Sequence, residues 1–130
     1  MKRVVITGAG TINALGHSVP ETLEAMREGR CGIGELEMRD VDRLAIRIGG
    51  QVRGFEAEGR FNRQQMALYD RFTQFALVAA REAMAQSGLE FSGEMAARCG
   101  VVLGNSGGGM TTLDDNYRTV YEDGKNRVHP

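Results

Sequence analysis

The chain has 130 residues, 42% of them hydrophobic and 25% charged, an ordinary balance for one globular domain with a real core. Sixteen basic and 17 acidic residues leave a net charge of -1, which argues against a nucleic-acid or membrane surface. Lys2 and Arg3 are followed only by Val4-Val5-Ile6 before polar and glycine residues, too short a run for a signal peptide or a membrane span, so a cytoplasmic protein is expected.

Arg3 to Thr7 reads as a first strand, β-branched and apolar on both faces, hence buried. Gly8-Ala9-Gly10 ends it. The pair of glycines invites a dinucleotide-binding reading, which fails twice. The third glycine would fall on Asn13, and the acidic residue expected about 20 positions on lies in a helical stretch, Glu21 to Glu28. Ser18 is the expected N-cap of that helix, with Pro20 and Glu21 in its first turn and Glu21 at capping-box spacing. Leu23 and Met26 form its apolar stripe, and Gly29 stops it.

Arg30 to Asp42 reads as loop. Ile46, Ile48 and Val52 then alternate with Arg47, Gly49, Gln51 and Arg53, which predicts a half-exposed strand at a sheet edge or in an excursion. Arg63 to Ser87 reads as one long helix closed by Gly88. Its middle, Phe75-Ala76-Leu77-Val78-Ala79-Ala80, has no polar face, so it should be buried all round. So short a chain can hardly surround such a helix by itself. Ser92 to Ala97 predicts a short turn of helix, and Cys99 to Leu103 a buried strand.

Gly104-Asn105-Ser106-Gly107-Gly108-Gly109 then turns the chain into a helix. Met110, Leu113, Tyr117, Val120 and Tyr121 recur there at helical spacing, and Asp114 and Asp115 are expected in the first turn, at the positive end of the dipole. The glycines let backbone come close to a ligand, a partner chain or another part of the fold. No Gly-Lys-Ser/Thr follows them, so this is not a P-loop. The tail, Asp123 to Pro130, is polar except for Val128. The order of elements is strand, helix, edge strand, buried helix, strand, helix, which predicts an α/β protein with a largely parallel sheet.

Cys31 and Cys99 have no metal-ligand or redox spacing, and Cys99 is expected as a small buried hydrophobe. His17 and His129 read as exposed loop histidines. No metal site is expected.

Several pieces resemble one family in one order. Arg3-Val4-Val5-Ile6-Thr7-Gly8-Ala9-Gly10 with Leu15-Gly16 resembles the opening of β-ketoacyl-acyl-carrier-protein synthases, the condensing enzymes of fatty-acid and polyketide synthesis. Glu28-Gly29-Arg30-Cys31-Gly32-Ile33 resembles their glycine turn after the first helix. Asp70-Arg71-Phe72-Thr73-Gln74-Phe75-Ala76 resembles the start of their central helix, and Gly104 to Gly109 their glycine loop after the next strand.

The resemblance implies a thiolase-like fold of five layers, αβαβα. Residues 1–130 would be a partial N-terminal domain, truncated before the nucleophile motif. It implies decarboxylative Claisen condensation of an acyl thioester with malonyl-acyl-carrier protein in chain elongation, without a cofactor. The partners would be acyl carrier protein and a second copy in a homodimer. In that family a cysteine at a helix N-terminus takes the acyl group, and two histidines promote decarboxylation and hold the enolate. Their motifs would lie beyond Pro130, so no catalytic residue is assigned and the fragment should be inactive. The resemblance places Gly107 and Gly108 at the acyl pocket, where many members carry a bulky apolar gate at the Gly107 position. It places Arg63 and Arg71 at the carrier-protein contact, although the stretch after Arg63 is neutral where members often carry a basic cluster. The alternative is a non-catalytic partner subunit of the chain-length-factor type.

Overall fold

A computed structural model describes residues 3–128. The chain forms two compact units. The first holds residues up to Glu56 together with Ala76–Ser87, and the second holds Ala57–Phe75 and the chain from Gly88 onward.

The first unit contains helix α1 (Val19–Arg27), the short strands β1 (Ile33–Glu35) and β2 (Ile48–Gly50), and most of helix α3 (Arg71–Ser87). Ser18 caps α1 as its sequence requires, its hydroxyl accepting from the Glu21 N–H at 3.3 Å. The Glu21 carboxylate reaches back one residue further than a standard box and accepts from the His17 N–H at 2.7 Å. Gly29, at φ 67°, donates to the Met26 carbonyl, and Arg30 donates to the Ala25 carbonyl. This is a Schellman ending, which needs the left-handed glycine.

Gly8 and Gly10 do work that their sequence does not announce. A Cβ on Gly8 would lie 2.1 Å from the Ala83 carbonyl oxygen, and one on Gly10 would lie 1.8 Å from that of Ala79. The opening segment thus runs against the bare backbone of α3. Side chains of α3 take up its amides: Gln86 accepts from the Ala9 N–H at 2.6 Å, and Glu82 accepts from Thr11 at 3.0 Å and from Val19 at 2.7 Å. One carboxylate therefore ties two separate stretches to α3. Glu82→Ala should cost about 2–3 kcal/mol by leaving two backbone donors without their charged acceptor, read as a lowered denaturant midpoint.

The expected strand Arg3 to Thr7 is a correction. The segment carries no strand pairing among the described residues, and Val4, Val5 and Ile6 are exposed. A strand is completed by a neighbour, and apolar composition cannot supply one. The stretch from Arg30 to Asp42, expected as loop, contains β1, a second correction. β1 pairs antiparallel with β2 through Ile33–Gly50, Gly34–Gly49 and Glu35–Ile48. Side chains prolong this ribbon. Gln51 accepts from the Glu37 N–H at 2.8 Å and donates back to the Glu37 carbonyl at 3.0 Å. Arg53 donates to the Glu35 carbonyl and to the Glu37 carboxylate. The half-exposed reading of β2 holds in an unexpected phase: Ile46 and Ile48 face outward, while Gly49 lies under Leu36. The largely parallel sheet is likewise not found among the described residues, whose one sheet is this two-stranded antiparallel ribbon.

The second unit holds α2 (Arg63–Leu68), the first turn of α3, α4 (Gly93–Arg98) and α5 (Met110–Tyr121). The helix expected from Arg63 to Ser87 is two helices. α2 opens on a full capping box, Asn62 with Gln65, and ends at Leu68. Tyr69 is extended, and Asp70 caps a new helix by accepting from the Phe72 N–H at 3.1 Å. Apolar periodicity runs through the break because Tyr69 still turns inward, edge-on to buried Phe61 with ring centroids 6.1 Å apart. Gly88 ends α3 at φ 63°, as expected.

The expected strand Cys99 to Leu103 is also unpaired, with Val101, Val102 and Leu103 exposed. Among the described residues the buried apolar side chains are those of Ala25, Phe61 and Val78. The all-apolar middle of α3 is mostly half-buried, and Ala80 is exposed.

Candidate functional site

The second unit brings the glycine stretch to the start of α3. Asn105 organises the loop: its side-chain carbonyl accepts from the N–H groups of Gly107 at 3.0 Å and Gly108 at 2.6 Å. Gly108 sits at φ 65° in the left-handed region, so it is the glycine the turn demands. Gly107 lies outside that region, and a Cβ there would meet only the Met110 side chain, at an ordinary 3.5 Å. Gly109 precedes α5, and its carbonyl accepts from the Leu113 N–H at 2.9 Å.

Asp70 closes the arrangement. While one carboxylate oxygen caps α3, the other accepts from both the N–H and the hydroxyl of Thr112 in the first turn of α5. A Cβ on Gly109 would lie 2.9 Å from that second oxygen, so Gly109 is bare because the carboxylate occupies the space. Asp114 and Asp115, expected in the first turn of α5, lie a turn later. The anion at the helix start is instead Asp70, brought from another helix. Asp114 pairs with Arg118 at 3.0 Å. Beside this junction lies an open groove of about 340 Å3, with Leu68, Phe72 and Leu113 supplying apolar wall and Asp70, Thr73 and Thr112 polar wall.

Partial burial raises the Asp70 pKa, but the Thr112 hydroxyl and the backbone N–H groups of Phe72, Thr112 and Arg71 outweigh it and hold the carboxyl below its ordinary value. A depressed carboxylate stabilises the fold above its unfolded pKa of about 3.9 and loses that contribution as pH falls through the lower folded value. Asp70→Asn should therefore lower stability at neutral pH and flatten its fall at acid pH, measured as denaturant midpoints along a pH series.

The sequence-derived site residues fall at different places. Gly107 and Gly108 sit together on the loop, next to the groove rather than in its lining. Arg63 opens α2, exposed. Arg71 opens α3, with its guanidinium carbon 5.2 Å from the Phe75 ring centroid. Asp70 falls inside one long helix by apolar periodicity and at a helix start only by the family resemblance; nothing in the sequence marks it as a partner of Thr112.

The cysteine and histidine readings need two corrections. Cys99 is exposed at the end of α4, not buried, because the strand that would have covered it does not form. Cys31 is exposed as well. His17 is half-buried rather than exposed, since its Nε2 lies 2.8 Å from the Arg53 carbonyl and its ring packs edge-on to Phe55. His129 lies outside the described residues. Among the described residues no group of histidine, cysteine and carboxylate side chains could hold a metal ion, and no helix is long and apolar enough to cross a membrane.

The glycine loop after an apolar segment, the glycine-paired opening against α3 and the capped start of α3 stand in the order set by the resembling motifs. Residues 1–130 match the family model of the beta-ketoacyl synthase N-terminal domain, and the chain belongs to that family. It is similar to 3-oxoacyl-acyl-carrier-protein synthase 2 of Staphylococcus aureus strain N315, 35% identical over 129 residues, covering 99% of this chain and 31% of that protein. The synthase 2 of Vibrio cholerae serotype O1 is 33% identical over 129 residues with the same coverage of 99% and 31%. Among solved structures, a beta-ketoacyl synthase from Burkholderia phymatum STM815 matches with a TM-score of 0.55 and 32% identity, covering 72% of this chain and 23% of that one. The chain thus spans about a third of the length of the curated relatives it matches.

Proposed function

We propose that this chain is the N-terminal part of a β-ketoacyl-acyl-carrier-protein synthase with a five-layered thiolase-like fold. The observation that carries the reading is the family match along all 130 residues, with relatives named as 3-oxoacyl-acyl-carrier-protein synthases. The reaction is acyl transfer from a carrier-protein thioester to an enzyme cysteine. Decarboxylation of the malonyl thioester follows, and its carbanion attacks the acyl carbon. A carbon–carbon bond forms, CO2 leaves, and the cysteine departs as thiolate. The cysteine and histidines of that chemistry belong to the remaining part of the enzyme. This chain contributes framework and one wall of the acyl site.

Two features support the division of labour. The apolar segments Val4 to Ile6 and Val101 to Leu103 are largely exposed, so they suit surfaces covered by further protein. Gly107 is bare without any demand from its backbone, which suits a position facing a bound acyl chain. Arg63 and Arg71 are the residues proposed to meet the acidic carrier protein, and the complete enzyme is proposed to be a cytoplasmic homodimer.

The test of the pocket uses Gly107→Ile in a complete synthase carrying this chain. Gly107 lies outside the left-handed region and an added Cβ would meet only the Met110 side chain, at 3.5 Å, so the melting temperature should stay near that of the parent. Activity should fall by about tenfold or more on long acyl primers relative to short ones, the usual worth of a few methylenes in a filled pocket. A uniform loss that tracks the melting temperature would remove Gly107 from the pocket wall.

A further inference from the structure

The Asp70–Thr112 junction reaches beyond helix capping. We propose that Asp70 is a positioning residue: through Thr112 and Gly109 it sets the first turn of α5, and with it the acyl selectivity of the glycine loop. The proposal rests on the reading of Gly107 as pocket wall.

The geometry links the pieces in sequence. Asn105 winds the loop from within, through the N–H groups of Gly107 and Gly108. Its far end is held from another helix, where one Asp70 oxygen takes both donors of Thr112. The carboxylate also fills the space that a side chain on Gly109 would need. Met110 is the first residue of α5, and its Cγ lies 3.5 Å from where a Gly107 Cβ would be. Met110 therefore borders the space that Gly107 leaves open. Its place depends on a turn that Asp70 fixes by a charge-assisted pair of hydrogen bonds. Loosening that pair moves Met110 relative to Gly107 without altering either residue.

The test is a set of variants in a complete synthase carrying this chain: Thr112→Val, which removes the hydroxyl at nearly equal volume, Thr112→Ser, which keeps it, and Gly107→Ile as the reference. The readout is the ratio of kcat/KM for long over short acyl-carrier-protein primers, with melting temperature alongside. Thr112→Val should change that ratio by about tenfold, the size of one hydrogen bond to a charged group, and Thr112→Ser should restore it. If Gly107→Ile shifts the ratio but Thr112→Val leaves it unchanged or lowers both primers equally, the positioning role is wrong and the pocket reading stands. If neither variant shifts the ratio, both fall. Asp70→Asn, where it folds, should follow Thr112→Val.

Discussion

Gly10→Ala should be among the most damaging single-methyl additions in this chain, costing about 3 kcal/mol or more by overpacking against an unyielding backbone. Its Cβ would stand 1.8 Å from the Ala79 carbonyl oxygen, and a carbonyl inside a helix cannot swing aside as a side chain would. Gly8→Ala should behave similarly, at 2.1 Å from Ala83. Gly29→Ala is the informative control. That glycine has a left-handed φ of 67° and nothing within 4 Å of an added Cβ, so only backbone strain of about 1 kcal/mol is expected. Melting temperatures of the three variants in a complete synthase carrying this chain would separate close approach from turn geometry. A Gly10→Ala protein as stable as its parent would contradict the packing described here.

Those glycines also mark what a sequence can and cannot show. Helix ends were legible because their signals are local: Ser18, Gly29 and Gly88 each act within a few residues. The glycine turn into α5 was legible for the same reason. The junction of Asp70 with Thr112 joins residues 42 apart, and no periodicity announces such a pair. The break at Tyr69 was hidden because Tyr69 keeps the apolar rhythm while Asp70 restarts the helix. The strands at Arg3 to Thr7 and Cys99 to Leu103 were overread. Val4 to Ile6 and Val101 to Leu103 carry the composition of buried strands, but a ladder needs neighbours that the described residues do not supply. β1 was underread because Gly34, its central residue, looks like a turn. It pairs with Gly49, and the neighbouring Arg53 and Leu36 side chains need the space both leave.

The second large effect concerns this chain alone. It should form no carbon–carbon bond from acyl- and malonyl-carrier protein above a no-enzyme control, whereas enzymes commonly accelerate their reactions at least about a millionfold. The chemistry needs a thiolate and two histidines around one acyl carbon. Here Cys31 and Cys99 lie exposed on separate segments, and the His17 ring nitrogen is engaged with the Arg53 carbonyl. Measurable turnover by the purified chain would require a reaction centre within these residues and would overturn the division of labour.

The most direct measurement is product analysis on a complete synthase carrying this chain as its N-terminal part. It would be given acyl-carrier protein and malonyl-carrier protein labelled at the free carboxyl carbon. The expected result is labelled CO2 released in step with an unlabelled β-ketoacyl-carrier protein two carbons longer than the primer. Binding of carrier protein with no extended product would contradict a condensing enzyme and leave the non-catalytic partner subunit as the account of this chain.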